Sequence, residues 1–326
     1  MKKGSTHAKV GIIGGSGLYE IEGLSNIKEY NPTTPYGRPS SPVVLGKLDN
    51  MWVAFLSRHG QGHRIAPSDI NYRANIFALK QLGVEWILSV SAVGSMREDI
   101  QPGQVVIPDQ FFDHTRHRIN TFFGGDVAPG IVAHVGFADP VCHDLARILV
   151  GACGSQDVIV HRGGTYLCIE GPQFSSKGES RIYRRWGVDV IGMTNAPEAK
   201  LAREAEICYS TMAMVTDYDC WHETHESVTV EAILETLHRN VERAKQIIRE
   251  ALTSLPIDRS CLCESALKTA LVTPHHMIPV TTRRRLAPLL ERYIESQPPP
   301  RPQRAKRTAK LPQRRLALVP KSHGRK

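Results

Sequence analysis

Nine short runs of mostly apolar, β-forming residues recur along this chain, and most stop abruptly at glycine, serine, a basic pair or aspartate. They are Lys9 to Ile13, Val43 to Leu45, Trp52 to Leu56, Trp86 to Ser91, Val105 to Ile107, Val158 to His161, Thr165 to Ile169, Val188 to Ile191 and Thr211 to Val215. Runs this short and continuous read as strands covered on both faces, as in a parallel or mixed sheet. Helical stretches separate several of them. Ile70 to Leu82 has apolar residues at helical spacing with Gly83 as its stop, and Pro197 stands near the first turn of a helix from Glu198 to Cys208. Val230, Ile233, Leu234, Leu237, Val241, Ala244, Ile247, Ile248, Ala251 and Leu252 mark a long amphipathic helix, and Arg283 to Ile294 a short basic one. Strands alternating with helices, without repeats, predict one three-layer α/β domain over residues 1–296 with a mixed central sheet.

Open α/β sheets bind ligands beyond the carboxyl ends of their strands, so the residues that end these runs are the functional candidates. Asp217 and Asp219, in Thr216-Asp217-Tyr218-Asp219-Cys220-Trp221, follow the run Met212-Ala213-Met214-Val215. A carboxyl near apolar walls and a second acid has its pKa raised and can donate a proton at neutral pH; the alternative is a solvated acidic loop or a helix cap. Ser16 lies in the glycine turn Gly14-Gly15-Ser16-Gly17, whose bare backbone amides suit an anion or simply a tight turn. Neither a dinucleotide fingerprint nor a P-loop fits, because the third glycine position is Glu20 and no Lys-Ser or Lys-Thr follows. Arg58 and His59 end another strand in donors suited to a small oxyanion, with metal ligation by His59 and His63 as the rival. Ser91 opens what reads as a small-residue turn, Ser91 to Ser95, and Thr194 stands just before a helix N-terminus. Together they describe an anion at one end of a site and a polar heterocycle at the other.

The net charge of +9 is that of a nucleic-acid binder until it is located along the chain. Residues 297–326 carry ten Lys or Arg, six prolines and no acid, leaving 41 − 10 = 31 basic against 32 acidic residues in the body. That segment reads as a solvated, disordered extension, with weak salt-sensitive contact to nucleic acid as its less favoured role. The seven cysteines are odd in number and mostly scattered, which argues for a reducing compartment and a cytoplasmic protein. Cys261-Leu262-Cys263 alone is close-spaced; it reads as two free thiols, with a redox pair or a zinc fragment as alternatives. The absence of a long apolar run predicts no membrane partner.

Gly11-Ile12-Ile13-Gly14-Gly15-Ser16-Gly17-Leu18, Ser57-Arg58-His59-Gly60, Asn71-Tyr72-Arg73-Ala74-Asn75, Glu170-Gly171-Pro172-Gln173-Phe174-Ser175-Ser176, Met193-Thr194 and Thr216 to Trp221 resemble, in order and spacing, the methylthioadenosine phosphorylases of the trimeric purine nucleoside phosphorylase branch. The resemblance runs from about Lys9 to about Ile294. It implies a mixed, partly barrel-like sheet and an active site at the subunit interface of a homotrimer or a dimer of trimers. By the same resemblance Ser16, Arg58, His59, Ser91, Ala92 and Thr194 would hold phosphate. Met193 would contact the ribose through its backbone, Phe174 would pack on the purine, and Asp217 and Asp219 would face its N7 and exocyclic amine. Ser175 and Val230 match positions tied to substrate choice, Ile233 and Leu234 would line the methylthio pocket, and His134 would reach in from a neighbouring subunit. Asn195 and Ala196 stand where some relatives have Thr and Val.

The expected chemistry is phosphorolysis. An acid at N7, Asp217 before Asp219, lets the purine leave neutral while phosphate offsets the oxocarbenium charge and attacks C1′; no metal or organic cofactor is expected, phosphate being a co-substrate. An aspartate accepts from a 6-amino group, where 6-oxopurine enzymes of this branch typically carry asparagine. The reading is therefore adenine release from methylthioadenosine, with a 6-oxopurine nucleoside phosphorylase as the alternative and a nucleic-acid-binding protein as a third.

Overall fold

Alternating strands and helices assemble into one large sheet covered on both faces. The computed structural model describes residues 7–294 other than 16, 17, 19, 50 and 223–229; side chains at 230–235, 237 and 238 also lie outside the description. Ser16, the side chains of Val230, Ile233 and Leu234, and the tail from residue 297 therefore fall outside the described residues. The strands are β1 (Val10–Gly14), β2 (Ser25–Tyr30), β3 (Val43–Leu48), β4 (Met51–Ser57), β5 (Trp86–Ser95), β6 (Val105–Ile107), β7 (Gln110–Asp113), β8 (Val160–Arg162), β9 (Thr165–Cys168), β10 (Val190–Gly192) and β11 (Cys208–Asp217). The helices are α1 (Tyr72–Gln81), α2 (His143–Gly154), α3 (Lys177–Arg185), α4 (Asn195–Glu204), α5 (Val230–Thr253), α6 (Val280–Arg285) and α7 (Ala287–Leu290).

The sheet has eleven strands in the order β2-β3-β4-β1-β5-β10-β9-β7, and β5 carries a branch through β11 to β6 and β8. It is mixed, as expected: β1 runs parallel to β4 and β5, β11 parallel to β5, and β10 antiparallel to β5. The central strands β1 and β11 are the continuous apolar runs that two-sided burial demands. On one face Phe77 and Leu79 of α1 and Leu201 of α4 share a core with Ile87 and Tyr209. On the other Leu145 and Leu149 of α2 and Ile247 and Ile248 of α5 pack with Met212 and Met214. Alternation along β11 thus feeds both layers.

Several local expectations change. Ser91 to Ser95 is no turn: β5 continues to Ser95 because its second half finds partners on two sides, Ala213–Asp217 of β11 and Val190–Ile191 of β10. The fourth helix begins at Asn195 and ends at Glu204, since Cys208 is already the first residue of β11. The basic C-terminal helix is two short ones that meet at Leu286; Pro288 cannot donate to the carbonyl of residue 284 and clashes with it, so one continuous helix cannot form. The strand β2 escaped the pattern because all six residues are exposed, and α3 because it buries only Ser180 and Tyr183. By contrast α2 buries Leu145, Leu149, Ala152 and Cys153 at plain helical spacing and was readable.

Candidate functional site

The backbone brings the strand ends together before any side chain is considered. Arg58 N–H donates to Gly14 O at 2.9 Å, so the end of β1 and the basic pair after β4 adjoin. The antiparallel register of β10 on β5, Ile191 opposite Gly94, carries Gly192-Met193-Thr194 back along β5 toward Ser91. The bulged register of β11 puts Asp217 beside Gly94, the other way along the same strand.

At the basic end Arg58 is almost wholly buried. Its Nε and Nη2 form a fork on Glu198 at 2.5 and 3.1 Å, Nη2 also donates to Ser89 Oγ at 2.7 Å and Nη1 to Val90 O at 2.8 Å. Burial opposes the charge, but Glu198 beside it holds the guanidinium firmly protonated. Of five N–H donors these bonds use four, leaving one on Nη1 among the described residues. Glu198 lies in the first turn of α4, where a carboxylate is favoured by the helix dipole. Thr194 is the N-cap residue of α4 and is buried, its hydroxyl 3.1 Å from Asn195 Oδ1 rather than on the helix amides. Asn195 itself turns inward, bonding Tyr209 OH at 2.9 Å, Ser89 Oγ at 3.3 Å and Thr211 Oγ1. It completes a polar network beneath Arg58. Ser91 Oγ is 3.2 Å from Tyr166 OH and 3.3 Å from Ala92 O, while Ala92 is exposed.

The His59 Nδ1 lies 2.8 Å from Ile65 O, an acceptor, so Nδ1 carries the proton. Burial and then the Arg58 charge push the pKa of His59 down to about 4. At neutral pH the ring is neutral and Nε2 offers a lone pair, suited to the hydroxyl of a hydrogen phosphate. His59 and His63 stack face to face at 4.1 Å, which does not converge their nitrogens on one point as a shared metal requires.

At the acidic end Asp217 Oδ1 accepts from Thr216 Oγ1 at 2.6 Å and Oδ2 from the Asp219 N–H at 2.9 Å. Burial raises its pKa against those bonds. Asp219, in a short 3-10 turn at φ 48°, is buried and accepts from Ser180 Oγ. Its pKa is raised by burial and by the charge of Asp217. The two acids are therefore no solvated loop. A β-carbon at Gly94 would stand 3.1 Å from Asp217 Oδ2 and 3.3 Å from Asp219 Cβ, so the pair sits where glycine leaves room.

The segment between β9 and α3 closes on Met193. The Met193 carbonyl accepts from Arg118 Nη1, whose guanidinium also reaches Tyr72 OH at 3.0 Å and Glu170 O at 2.5 Å. Burial opposes ionisation of Glu170, but bonds from Ser68 and the Arg116 N–H and the charge of Arg118 hold its pKa at about 2. Phe174 is 58% exposed, and Ser175 Oγ is buried with no hydrogen-bond partner among the described residues. His134 is on an exposed loop, its N–H on Ala270 O at 2.8 Å, and none of its described contacts is with the other candidate residues. Sequence reasoning missed Glu198, Ser180, Gly94 and Arg118. The basic run Arg116-His117-Arg118 after β7 was the one visible signal; the others depend on contacts many residues away.

Residues 9–253 match the family model described as the phosphorylase superfamily. The S-methyl-5′-thioadenosine phosphorylase of Koribacter versatilis is 55% identical over 290 residues, covering 89% of this chain and 98% of that protein. That of Hyperthermus butylicus is 50% identical, covering 83% and 98%. Among solved structures, a methylthioadenosine phosphorylase from an antarctic soil metagenomic library superposes with a TM-score of 0.83 at 49% identity, covering 87% of this chain and 99% of that one. The Schistosoma mansoni enzyme in complex with tubercidin gives 0.73 at 37% identity, covering 80% and 96%.

Proposed function

The chain belongs to the phosphorylase superfamily, and from that premise we propose that it cleaves S-methyl-5′-thioadenosine with inorganic phosphate, releasing adenine and 5-methylthioribose 1-phosphate. It is a pentosyltransferase acting on a nucleoside. The observation that carries the substrate reading is the carboxyl pair of half-buried Asp217 and buried Asp219, both with raised pKa, a few residues along β5 from the Arg58–Glu198–Thr194 cluster.

The roles follow from that arrangement. Phosphate is held by the free Nη1 hydrogen of Arg58, the Thr194 hydroxyl and α4 N-terminus, and Ser91 and Ala92, with His59 Nε2 accepting a hydrogen bond from its hydroxyl. Ser16 in the glycine turn joins them. Ser180 donates to Asp219 and keeps it an acceptor for the 6-amino group, while Asp217 supplies the proton to N7 as the C1′–N9 bond breaks. Phosphate attacks C1′ as positive charge develops there, so nucleophile and electrostatic stabiliser are one ion. The Met193 backbone meets the ribose and Phe174 covers the purine. Ser175, Val230, Ile233 and Leu234 set substrate choice and the methylthio pocket. His134 comes from a neighbouring copy in a homotrimer or a dimer of trimers, since it stands outside the cluster its own chain builds.

No described helix is long and apolar enough to cross a membrane. The free cysteines support action in a reducing compartment, the cytoplasm, and the proposed reaction would belong to purine and methionine salvage. A nucleoside panel with and without phosphate, following base release, tests the reading. Adenine release from methylthioadenosine only with phosphate is expected; faster cleavage of methylthioinosine or inosine would replace it with the 6-oxopurine alternative.

A further inference from the structure

Four of the seven cysteines, from three distant stretches of the sequence, meet at the end of the sheet remote from the acids. Cys142 is the N-cap residue of α2 and its N–H bonds Tyr209 O at 2.9 Å; Cys208 opens β11, whose other end is Asp217. Cys261 and Cys263 come from the connection beyond α5, at the start of a short 3-10 helix. The four Sγ atoms all lie within 4.8 Å of one another, and Cys208 and Cys261 are 3.2 Å apart. Cys142, Cys208 and Cys263 are buried and Cys261 is half-buried.

Hydrophobic packing alone does not account for this gathering. In the connection, Ile257 is 82% and Leu262 84% exposed, while both flanking thiols of Leu262 face inward. Leu255 packs on the core, and polar contacts also hold the segment, Lys9 Nζ to Ile257 O at 2.8 Å and Arg259 Nη1 to Glu206 O at 2.7 Å. Four thiols offer one another only weak hydrogen bonds. A tetrahedral zinc ion bound by sulfur at about 2.3 Å needs S···S edges of about 3.8 Å, which brackets with the spacings seen. One feature of the geometry favours thiolate here: Cys142 is the N-cap residue of α2, where the helix dipole stabilises negative charge.

We propose that Cys142, Cys208, Cys261 and Cys263 form a closed four-thiolate site for a soft divalent cation, Zn²⁺ in the first place. It is structural: four protein ligands leave no open position, and the ten residues of β11 separate it from Asp217 by roughly 30 Å. The ion ties the chain beyond α5 to the starts of α2 and β11, and its binding releases the thiol protons to solvent.

The test uses the full chain, purified without chelator from zinc-containing medium. Elemental analysis is expected to find about one Zn²⁺ per chain, released on titration of the thiols with a mercurial reagent. Cobalt replacement should give the near-ultraviolet charge-transfer and intense visible bands of tetrahedral thiolate coordination. Cys261→Ser with Cys263→Ser should lose the metal and lower Tm, whereas Cys153→Ser, buried outside the cluster, should keep it. Should the double variant fail to fold, the mercurial and cobalt readouts on the unaltered chain stand alone. Metal-free protein whose cobalt form lacks those bands overturns the site, whether its thiols titrate as free or mass analysis finds them paired as disulfides.

Discussion

Asp217 and Asp219 are two residues apart and, in the proposed reaction, have opposite tasks. Burial raises both, so each contributes stability that is full below the ordinary carboxylate pKa and is lost as pH rises through the folded value. At neutral pH an amide at 217 removes that loss. Asp217→Asn is therefore expected to leave Tm at pH 7 unchanged or higher while kcat/KM on methylthioadenosine falls by about 10² to 10⁴; full activity in the variant removes Asp217 as the acid. The sign reverses at His59, whose pKa of about 4 lies below its ordinary value. The unfolded chain takes up the proton first, so its contribution is lost as pH falls from about 6.5 toward 4. His59→Gln should lessen the drop in Tm between pH 7 and pH 5, read by thermal unfolding of both proteins at both pH values. The acids and the Arg58–His59 pair were legible because each ends an apolar run. Ser180 was not: nothing local distinguishes a serine in the middle of a helix, and its partner Asp219 is 39 residues away.

At the scale of elements, α3 and α4 position the side chains that strands alone do not. The capping box of α3, Ser176 with Glu179, fixes the turn that presents Ser180 to Asp219. Ser176→Ala should cost about 1 kcal/mol of stability and raise KM for the nucleoside more than it lowers kcat, as steady-state kinetics and denaturant titration would show. In α4 the first-turn Glu198 holds Arg58, both nearly without exposure. Glu198→Gln leaves a buried charge uncompensated, with an expected loss of about 3 to 5 kcal/mol and a raised KM for phosphate. The apolar runs announced β1, β4 and β11. They could not announce that β5 outlasts its own apolar stretch, because Ser91 to Ser95 is small and polar and is made strand by partners from two distant segments. Pro288 is the converse case, a local signal that was present and settles where a helix stops.

For the whole molecule, the chemistry is expected to need more than one copy and less than the full chain. His134 sits on an exposed loop tied to Ala270. If a neighbour supplies it, His134→Ala lowers kcat/KM while light scattering shows an unchanged trimer or hexamer; an active monomer would refute the shared site. The charge of +9 resides in the tail, so deleting 297–326 should leave turnover intact and weaken retention on immobilised nucleic acid at low salt.

The long strand β5 is shared by all of this. Ser91, at its phosphate end, and Gly94, beside the acids, are three steps apart on one strand, roughly 10 Å at about 3.3 Å per residue. Under the proposed roles the strand is a ruler laid under the reacting bond, fixing how far the nucleophile stands from the leaving base. Lengthening it by one residue would move one end by a full step and turn every later side chain to the opposite face, so the two substrates can change in character but hardly in span.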